Sequence, residues 1–306
     1  MRLLAVGDLN VDIILYVSGI PKEGGEEHAR DLSISPGGSA ANVAVAFRRL
    51  GGESWFYGSV GNDVFGNWLI ELLEDVGVNT EFVSRRDRTT GTMVILSTER
   101  DRTIIGFRGA NEMLVYPREE MWDRGFDAVF VSGYSFLGEN LSRILKLLES
   151  ASERGVKVYV DASGVFAHKG LDLLKQTGMR IHGLLMNEVE AQEFFRGGDP
   201  GNYLWLADEI VVKMGSKGSV VYHEGGSTYV KAFPVDTVVD TTGAGDVFDA
   251  AYIFASFSGL GYKERLLFAN ASAAIKITRK GGWSSPRLEE VLEFLRSKGV
   301  EISLNK

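Results

Sequence analysis

Hydrophobic positions along the chain alternate between short β-rich runs and longer segments with helical period. The segment Asn140–Arg154 has apolar residues at steps of three and four, and Gly155 follows where a left-handed cap would fall. The β-rich runs are Leu3–Val6, Trp55–Tyr57, Ala128–Val131, Val156–Val160, Gly183–Met186 and Ile210–Lys213. Strands that alternate with helices in this way predict an α/β fold with a mainly parallel sheet.

Two segments, residues 13–36 and 85–109, break this alternation. Both are strand-like and polar on one side, and neither contains a convincing crossover helix. We expect them to form a small β-rich lid on a single α/β domain that spans residues 1–306. Because such a lid has no second layer of its own, it would cover an active site or a second subunit.

Composition and charge exclude several classes of protein. The 306 residues carry a formal net charge of -8, which argues against affinity based on the phosphates of nucleic acid. The absence of cysteine excludes disulfides, thiolate zinc sites and cysteine nucleophiles. The apolar runs at Leu3–Val6 and Ala250–Leu260 are too short for a signal-peptide core and a membrane span respectively. We therefore expect a cytoplasmic protein without nucleic-acid or membrane partners.

The strongest chemical motif is Asp240–Ala251, which follows the strand-like run Thr237–Val239 and leads into an apolar helix. Glycines at positions 243 and 245 leave room for an anion near the free N–H groups of a first helical turn. Asp246 falls in that turn, where the helix dipole keeps a carboxylate ionised near neutral pH and able to act as a base. A glycine-rich turn with a capping aspartate is the structural alternative.

A second glycine motif, Gly37–Gly51, contains two adjacent glycines followed by an Ala/Val run. Paired glycines let the backbone approach a ligand, and the small residues predict a tightly packed helix, although a simple loop-to-helix turn gives the same pattern. The chain has neither a Walker-A string nor Gly-x-Gly-x-x-Gly, which excludes a P-loop kinase and weakens the case for a dinucleotide dehydrogenase.

Together the two motifs resemble the two signatures of the ribokinase-like, or PfkB, family of carbohydrate kinases. The resemblance covers nearly the whole chain, with five motifs in family order. It implies that Asp246 is the catalytic base and that Gly243, Ala244 and Gly245 form the anion hole. It also implies a ribokinase-like fold with helices on both faces of the sheet, use of ATP and Mg²⁺, and a homodimer built through the lid.

The start of the chain resembles the substrate side of the same family. Asn10 and Asp12 are similar to the clamp that binds sugar hydroxyls, and on a strand they would share a face. The resemblance implies substrate contacts at Asn10, Asp12, Gly38, Ser39, Asn42 and Arg108. A solvated charge is the alternative for Arg108. Ser39 stands where ribokinases proper carry lysine, which favours fructokinase-like or ketodeoxygluconate-kinase-like substrates. A nucleoside kinase is the runner-up, and a non-catalytic sensor is a remote alternative.

Other motifs resemble the nucleotide and cation side of the family. The run Asn187–Glu190 is similar to a motif that binds magnesium through water, with Glu190 as the carboxylate, although a helix N-cap explains it equally simply. The resemblance implies nucleotide contacts at Asn187, Lys213, Gly215, Gly218 and Asn270. Ligands of a monovalent cation such as K⁺ are expected at Asp240, Thr242, Ile277, Gly281 and Ser285.

Overall fold

The computed structural model describes residues 1–304, which form thirteen β-strands and eight α-helices. The strands are β1 Arg2–Val6, β2 Asn10–Tyr16, β3 Asp31–Gly37, β4 Glu53–Gly61, β5 Asn79–Arg86, β6 Gly91–Ser97, β7 Arg102–Phe107, β8 Ala128–Ser132, β9 Lys157–Asp161, β10 Ile181–Asn187, β11 Ala207–Lys213, β12 Ser219–His223 and β13 Gly226–Val230. The helices are α1 Ser39–Arg49, α2 Val64–Val76, α3 Asn140–Glu153, α4 Val165–Thr177, α5 Glu188–Phe194, α6 Ala244–Phe257, α7 Tyr262–Lys276 and α8 Leu288–Ser297. Across this range no helix is both long and apolar enough to cross a bilayer.

Nine strands form one large sheet in the order β13-β12-β11-β10-β9-β8-β1-β4-β5. The seven strands from β11 to β5 run parallel, and β12 and β13 add an antiparallel edge. Parallel neighbours need crossover connections, which the helices between them provide. The mainly parallel sheet expected from the sequence is therefore confirmed.

Both faces of the large sheet are covered, as the alternation along β1 shows. Leu3 and Ala5 belong to a hydrophobic core with side chains of α1, α6 and α7. Leu4 and Val6 belong to a second core with side chains of α3 and α4. Successive strand residues point to opposite faces, so a strand buried on both sides is apolar throughout.

A separate sheet of four strands has the order β3-β2-β6-β7. This is the small β-rich element expected from the sequence, and β2 begins at Asn10, before the predicted segment. Arg85 and Arg86 belong instead to β5 in the large sheet. The register of β2 puts Asn10 and Asp12 on one face of the small sheet and Ile13 on the other.

The two faces of this small sheet differ in chemistry. Leu32 and Ile34 of β3 and Ile105 and Phe107 of β7 lie on the face opposite Asp12, and all four are exposed. A contiguous exposed apolar face is unusual for a free surface and indicates a contact surface.

Two local predictions are wrong. The run Thr237–Val239 forms no strand, because its contact is a single bond from the Val239 amide to the Ile277 carbonyl beyond the end of α7, with no strand beside it to make a ladder. Ser285-Pro286 has the pattern of an N-cap followed by a proline in the first turn and predicts that the last helix begins there, but α8 begins at Leu288 with Arg287 as its N-cap. Boundaries of this kind are the least certain part of a pattern.

Candidate active site

The N-terminus of α6 provides main-chain donors. Gly243 precedes the helix with φ of 76°, in the left-handed region that glycine enters without strain. The Ala244 amide donates to the Thr241 carbonyl at 3.1 Å. The amides of Gly245 and Asp246 have no main-chain acceptor within residues 1–304. Two free N–H groups at a helix start favour an anion at this position.

The Asp246 carboxylate is oriented by helix α1. Ser39 Oγ donates to Asp246 Oδ1 at 2.7 Å, and Asn42 Nδ2 donates to Oδ2 at 2.6 Å. Burial raises the pKa of Asp246, whereas the hydrogen bonds from Asn42 and Ser39 oppose the rise. The two glycine motifs, far apart in sequence, therefore meet at one carboxylate whose proton affinity exceeds that of a solvated aspartate, which suits a general base.

Asp12 lies on the small sheet with its carboxylate close enough to Asp246 to feel its charge. Burial, and after it the charge of Asp246, raise the pKa of Asp12 to about 7. Gly37 sits opposite this carboxylate, and a Cβ at that position would meet Asp12 Oδ2 at 2.3 Å. Glycine is therefore required at position 37 because a side chain would clash with Asp12, and not because the backbone needs flexibility there.

The raised pKa of Asp12 predicts a measurable effect on stability. Between about pH 4 and pH 7 the folded protein holds a proton on Asp12 that the unfolded chain releases, so this residue lowers stability as pH rises through that interval. We expect Asp12→Asn to raise the free energy of unfolding at pH 8 by up to about 4 kcal/mol, since the pKa is raised by about 3 units at about 1.4 kcal/mol per unit, and to have little effect near pH 4. Urea unfolding at both pH values measures it.

The exposed residue Asp87 provides the matched control for this experiment. Asp87→Asn should leave stability unchanged at both pH values, since the side chain is solvated. A destabilised Asp12→Asn at pH 8 would contradict the buried, partly protonated carboxyl.

Other predicted substrate residues are held by neighbours. The Asn10 Oδ1 atom accepts from Asn111 Nδ2 at 2.7 Å, and Asn111 also binds the Leu9 main chain. Gly38 has φ of 102°, and a Cβ there would meet the Asp8 carbonyl oxygen at 2.2 Å. The backbone therefore requires glycine at this position whatever ligand lies nearby.

Arg108 forms an ion pair with Asp8 rather than projecting into solvent. Its Nη2 and Nε atoms lie 2.7 and 3.2 Å from the two oxygens of Asp8. Burial raises the pKa of Asp8, against the charge of Arg108. Arg108 also lines a cavity of about 490 Å³ with Arg88 and Glu139, so its guanidinium is both structurally fixed and accessible.

A separate cavity of about 430 Å³ opens beside Asp246. It brings together predicted residues of both glycine motifs and of the nucleotide side, together with three that were assigned no role from sequence. The lining residues are Ser39, Tyr134, Asp161, Ser163, Asn187, Glu190, Lys213, Gly215, Gly245 and Asp246. The cavity connects Asp246 to the segments expected to bind nucleotide.

Lys213 lines this cavity and bonds to two buried carboxylates. Its Nζ atom lies 2.8 Å from Asp161 Oδ2 and 2.9 and 2.8 Å from the two oxygens of Asp249. Burial would lower the pKa of Lys213, but the two carboxylates raise it above the ordinary value. The lysine is therefore charged, and its hydrogen bonds are made to two carboxylates of the protein interior.

Asn187 and Glu190 satisfy each other at the start of α5. The Asn187 side chain accepts from the Glu190 amide at 2.9 Å, and Glu190 Oε2 accepts from the Asn187 amide at 2.8 Å. Asn187 and Glu190 therefore form an N-cap for α5, as the structural alternative predicted, and both residues also line the cavity. Burial and then the charge of Asp161 raise the pKa of Glu190. One carboxylate with free oxygen capacity fits Mg²⁺, which takes its other ligands from water and phosphates.

Gly218 and Asn270, predicted to contact nucleotide, have structural partners. A Cβ on Gly218 would meet the Val230 carbonyl oxygen at 2.1 Å, where φ is 112°. Asn270 accepts from Ser219 Oγ at 3.0 Å and donates to the carbonyls of Val230 and Lys231. Neither residue lines the cavity, so the structure does not bring them to Asp246.

A buried lysine lies against Asp240, one of the residues expected to bind K⁺. Lys276 Nζ donates to the carbonyls of Asp240 and Arg279 at 2.9 and 3.2 Å. The Asp240 carboxylate accepts from the amides of Thr242 and Gly281, each at 2.8 Å. These contacts do not favour a bound K⁺ ion, because protein donors already bond to the carbonyl oxygen and to both carboxylate oxygens of Asp240.

Three of the remaining members have carbonyl oxygens that accept from protein donors, and Thr242 Oγ1 accepts from Arg102 at 3.0 Å. The Ile277 carbonyl accepts from the amides of Val239 and Asp240, and the Gly281 carbonyl accepts from Ser284 Oγ at 2.8 Å. The Ser285 carbonyl accepts from Arg49 at 2.9 Å, while its buried Oγ has no partner within residues 1–304.

Two of the four residues near the site that were not predicted from sequence carry a weak signal there. Asp249 lies one helical turn after Asp246, so the two carboxylates share a side of α6. Lys276 interrupts an otherwise apolar and small-residue stretch of α7. Tyr134 and Ser163 carried no pattern, and only the packing of the strand ends brings them to the cavity.

Comparisons with known proteins agree over almost the whole chain. A family model described as pfkB family carbohydrate kinase matches residues 1–288. The ribokinase of Arabidopsis thaliana is 30% identical over 308 residues, covering 96% of this chain and 81% of that protein. The ATP-dependent ribose-1-phosphate kinase of Halopiger xanaduensis is 31% identical over 310 residues, covering 97% and 99%.

Solved structures give the same result for the fold. Arabidopsis thaliana ribokinase complexed with ribose and ATP superposes with a TM-score of 0.83 at 27% identity, covering 96% of this chain and 98% of the other. Methanocaldococcus jannaschii nucleoside kinase gives a TM-score of 0.86 at 23% identity, covering 97% and 98%, which supports the fold alone. The ribokinase-like fold is confirmed, and the chain belongs to the PfkB family of carbohydrate kinases, phosphotransferases with a hydroxyl group as acceptor.

Proposed function

We propose that this kinase transfers the γ-phosphoryl group of ATP to a hydroxyl of a sugar or sugar-like molecule, with Asp246 as the general base. Asp246 takes the hydroxyl proton as the acceptor oxygen bonds to phosphorus. The bond from phosphorus to the β,γ-bridging oxygen breaks, and ADP leaves with that oxygen. The observation that carries the proposal is the Asp246 carboxylate, held by Ser39 and Asn42 beside the free amide of Gly245.

The anion hole in this proposal consists of main-chain N–H groups at the start of α6. Of the segment Gly243–Gly245, the Gly245 amide lacks a main-chain acceptor in the described chain, whereas the Ala244 amide donates to Thr241. The Asp246 amide supplies a second free donor. Fixed donors of this kind stabilise charge that develops on the transferred group, and loss of one such donor from the oxyanion hole of a protease lowers kcat by about 10²- to 10³-fold.

The nucleotide would occupy the 430 Å³ cavity, with its phosphates towards α6 and Gly215 at the far wall. Glu190 would hold Mg²⁺ through water, and the bound ion would offset the negative charge of the phosphates. Lys213 lies 3.6 Å from the point where a Gly245 Cβ would be, so its charge reaches the phosphate region although it bonds to Asp161 and Asp249. A relative named as ATP-dependent and a ribokinase structure complexed with ATP support this donor, and the expected cytoplasmic location would supply it.

The acceptor would bind between Asp12 on the small sheet and Asp246 on the large one, with Asn10, Gly38 and Asn42 around it. Ser39 favours a fructokinase-like or ketodeoxygluconate-kinase-like sugar over ribose, although relatives named ribokinase keep pentoses in the range to be tested.

A nucleoside acceptor is the second candidate. Ile14 and Ile104 lie on the same face of the small sheet as Asp12, next to each other across Ile95, and Ile104 is exposed. An apolar patch beside a polar clamp would suit the base of a nucleoside. A nucleoside acceptor would contact this apolar patch with its base, whereas a sugar acceptor would not need it.

The small sheet would act as a lid and as a homodimer contact. Arg102 of β7 donates to Thr242 Oγ1 at 3.0 Å, which joins the lid to the loop before the anion hole. The exposed residues Leu32, Ile34 and Ile105 on its outer face would pair with a second copy, an arrangement common for an apolar sheet face. Light scattering should give twice the 33.5 kDa chain mass.

A phosphoryl-transfer screen tests the proposed function. Purified protein with ATP and Mg²⁺ is assayed for ADP formation with hexoses, ketodeoxy acids, pentoses, polyols and nucleosides. We expect ADP release to depend on one acceptor class, and mass spectrometry of the product shows which molecule gained a phosphate. ADP formation that no acceptor increases would contradict the proposal, and a nucleoside as the best acceptor would favour the second candidate.

A further inference from the structure

Lys276 is a fully buried lysine at the C-terminal end of α7. Its side chain has no exposed surface, and the helix around it consists of apolar and small residues. A lysine is rarely buried without partners, because taking an ammonium group out of water is costly. Its retention here requires compensating contacts.

Those contacts are all with oxygen atoms of two loops. Lys276 Nζ donates to the carbonyls of Asp240 at 2.9 Å and Arg279 at 3.2 Å, and it lies 4.0 Å from Asp240 Oδ2. The position at the end of α7 adds the attraction of the helix C-terminus for positive charge. The surroundings are those of a cation site, with a side chain supplying the cation.

The side chain of the same aspartate, Asp240, holds the loop that leads to the anion hole. The Asp240 carboxylate accepts from the Thr242 amide on one side and the Gly281 amide on the other. Gly243 follows directly, and a Cβ on it would lie 3.1 Å from Gly282 Cα, so the two loops pack closely. Positive charge at Lys276 therefore keeps the start of α6 aligned with its neighbour.

We propose that the ammonium group of Lys276 is a built-in substitute for a monovalent cation, so that this kinase takes no K⁺ between the loops 240–242 and 277–285. The inference rests on the proposed function only for its kinetic consequence. Lys276 is a positioning residue, since it acts on Gly243–Asp246 through Asp240 and the Thr242 amide.

Crystals of the wild-type protein grown in rubidium chloride test the site without any assay of activity. Rubidium replaces K⁺ at protein sites and is located by anomalous scattering. We expect no rubidium peak within coordination distance of Asp240, Gly281 or Ser285. The buried Ser285 Oγ has no hydrogen-bond partner within residues 1–304 and could coordinate a cation, so the absence of a peak there would be informative. A peak at these oxygens would overturn the proposal, even if the chain proved inactive towards every acceptor.

Kinetics of the wild-type protein provide the second test. At matched ionic strength, kcat in potassium chloride should stay within about twofold of kcat in sodium or choline chloride. Saturable activation by K⁺ of fivefold or more would overturn the proposal. Absence of turnover with any acceptor would count against the proposed function instead, and the rubidium map would still decide the cation site.

Lys276→Met tests the positioning role. We expect its kcat in choline chloride to fall at least tenfold, and K⁺ or NH₄⁺ to restore part of the loss by entering the vacated site. Lys263→Met, at an exposed position of the same helix, should match wild type. A kcat within twofold of wild type, or a loss that neither cation alters, would contradict the role. If the variant does not fold, the two wild-type tests decide.

Discussion

Asp246→Asn should lower kcat by about 10²- to 10⁴-fold while nucleotide binding stays within a few fold of wild type. The substitution removes the proton acceptor and little else. The new Oδ1 atom still accepts from Ser39, and the Asn42 amide can flip so that its oxygen accepts from the new NH₂ group. Turnover with the best acceptor and calorimetric titration with ATP measure the two effects separately.

The pH dependence of the same variant gives an independent test. In the wild type, kcat/KM should rise with pH as Asp246 loses its proton and then level off, and the rise should occur above the ordinary range of an aspartate because burial raises this pKa. Asp246→Asn should lack that limb. Asp75→Asn, at an exposed position on α2, is the control and should keep both the rate and the profile. A residual kcat within tenfold of wild type would exclude Asp246 as the base.

Lys213→Met should destabilise the fold by about 3–5 kcal/mol, the usual result of removing one partner from a buried ion cluster. The side chain makes three bonds of 2.8–2.9 Å to Asp161 and Asp249, and its loss leaves two buried carboxylates uncompensated. Methionine fills most of the volume, so the lost charge dominates. Urea unfolding at pH 7 measures the difference.

The loss in Lys213→Met should become smaller at lower pH. Burial already raises the pKa of Asp249 well above its ordinary range, and removing the lysine raises it further. The folded variant then holds protons that its unfolded chain releases, so it regains stability as pH falls from 7 towards 5. Lys169→Met, at an exposed site on α4, should change little. A difference below about 1 kcal/mol at pH 7 would show that Lys213 is not the compensating charge.

Local sequence patterns were sufficient for six strands of the large sheet, for the crossover helix α3 and for the start of α6, because each depends on residues close together in the chain. The meeting of Ser39 with Asp246 is different, since 207 positions separate them and only the packing of α1 on α6 brings them together. The resemblance to the PfkB family supplied that juxtaposition. Periodicity and spacing could not have done so.

The errors and omissions have physical causes. Thr237–Val239 has the composition of a strand, but no neighbouring strand is within reach, and β-propensity is decided by such neighbours. Asp161 lies at the end of a strand predicted from sequence, but its ion pair is with Lys213, which is 52 positions away in the chain. Lys276 was overlooked because one charged residue at a helix end looks like an ordinary solvated cap until its burial is known.

In the proposed function, catalysis and substrate recognition are carried by different sheets. Asp246 and its amide donors belong to a helix packed on the large sheet, whereas Asp12, Ile14 and Ile104 belong to the small one. Substitutions in the small sheet can therefore change the accepted molecule without altering the phosphoryl-transfer machinery. For directed evolution, a library confined to the Asp12 face of β2, β6 and β7 should yield altered substrate preference with retained turnover far more often than one spread over the chain.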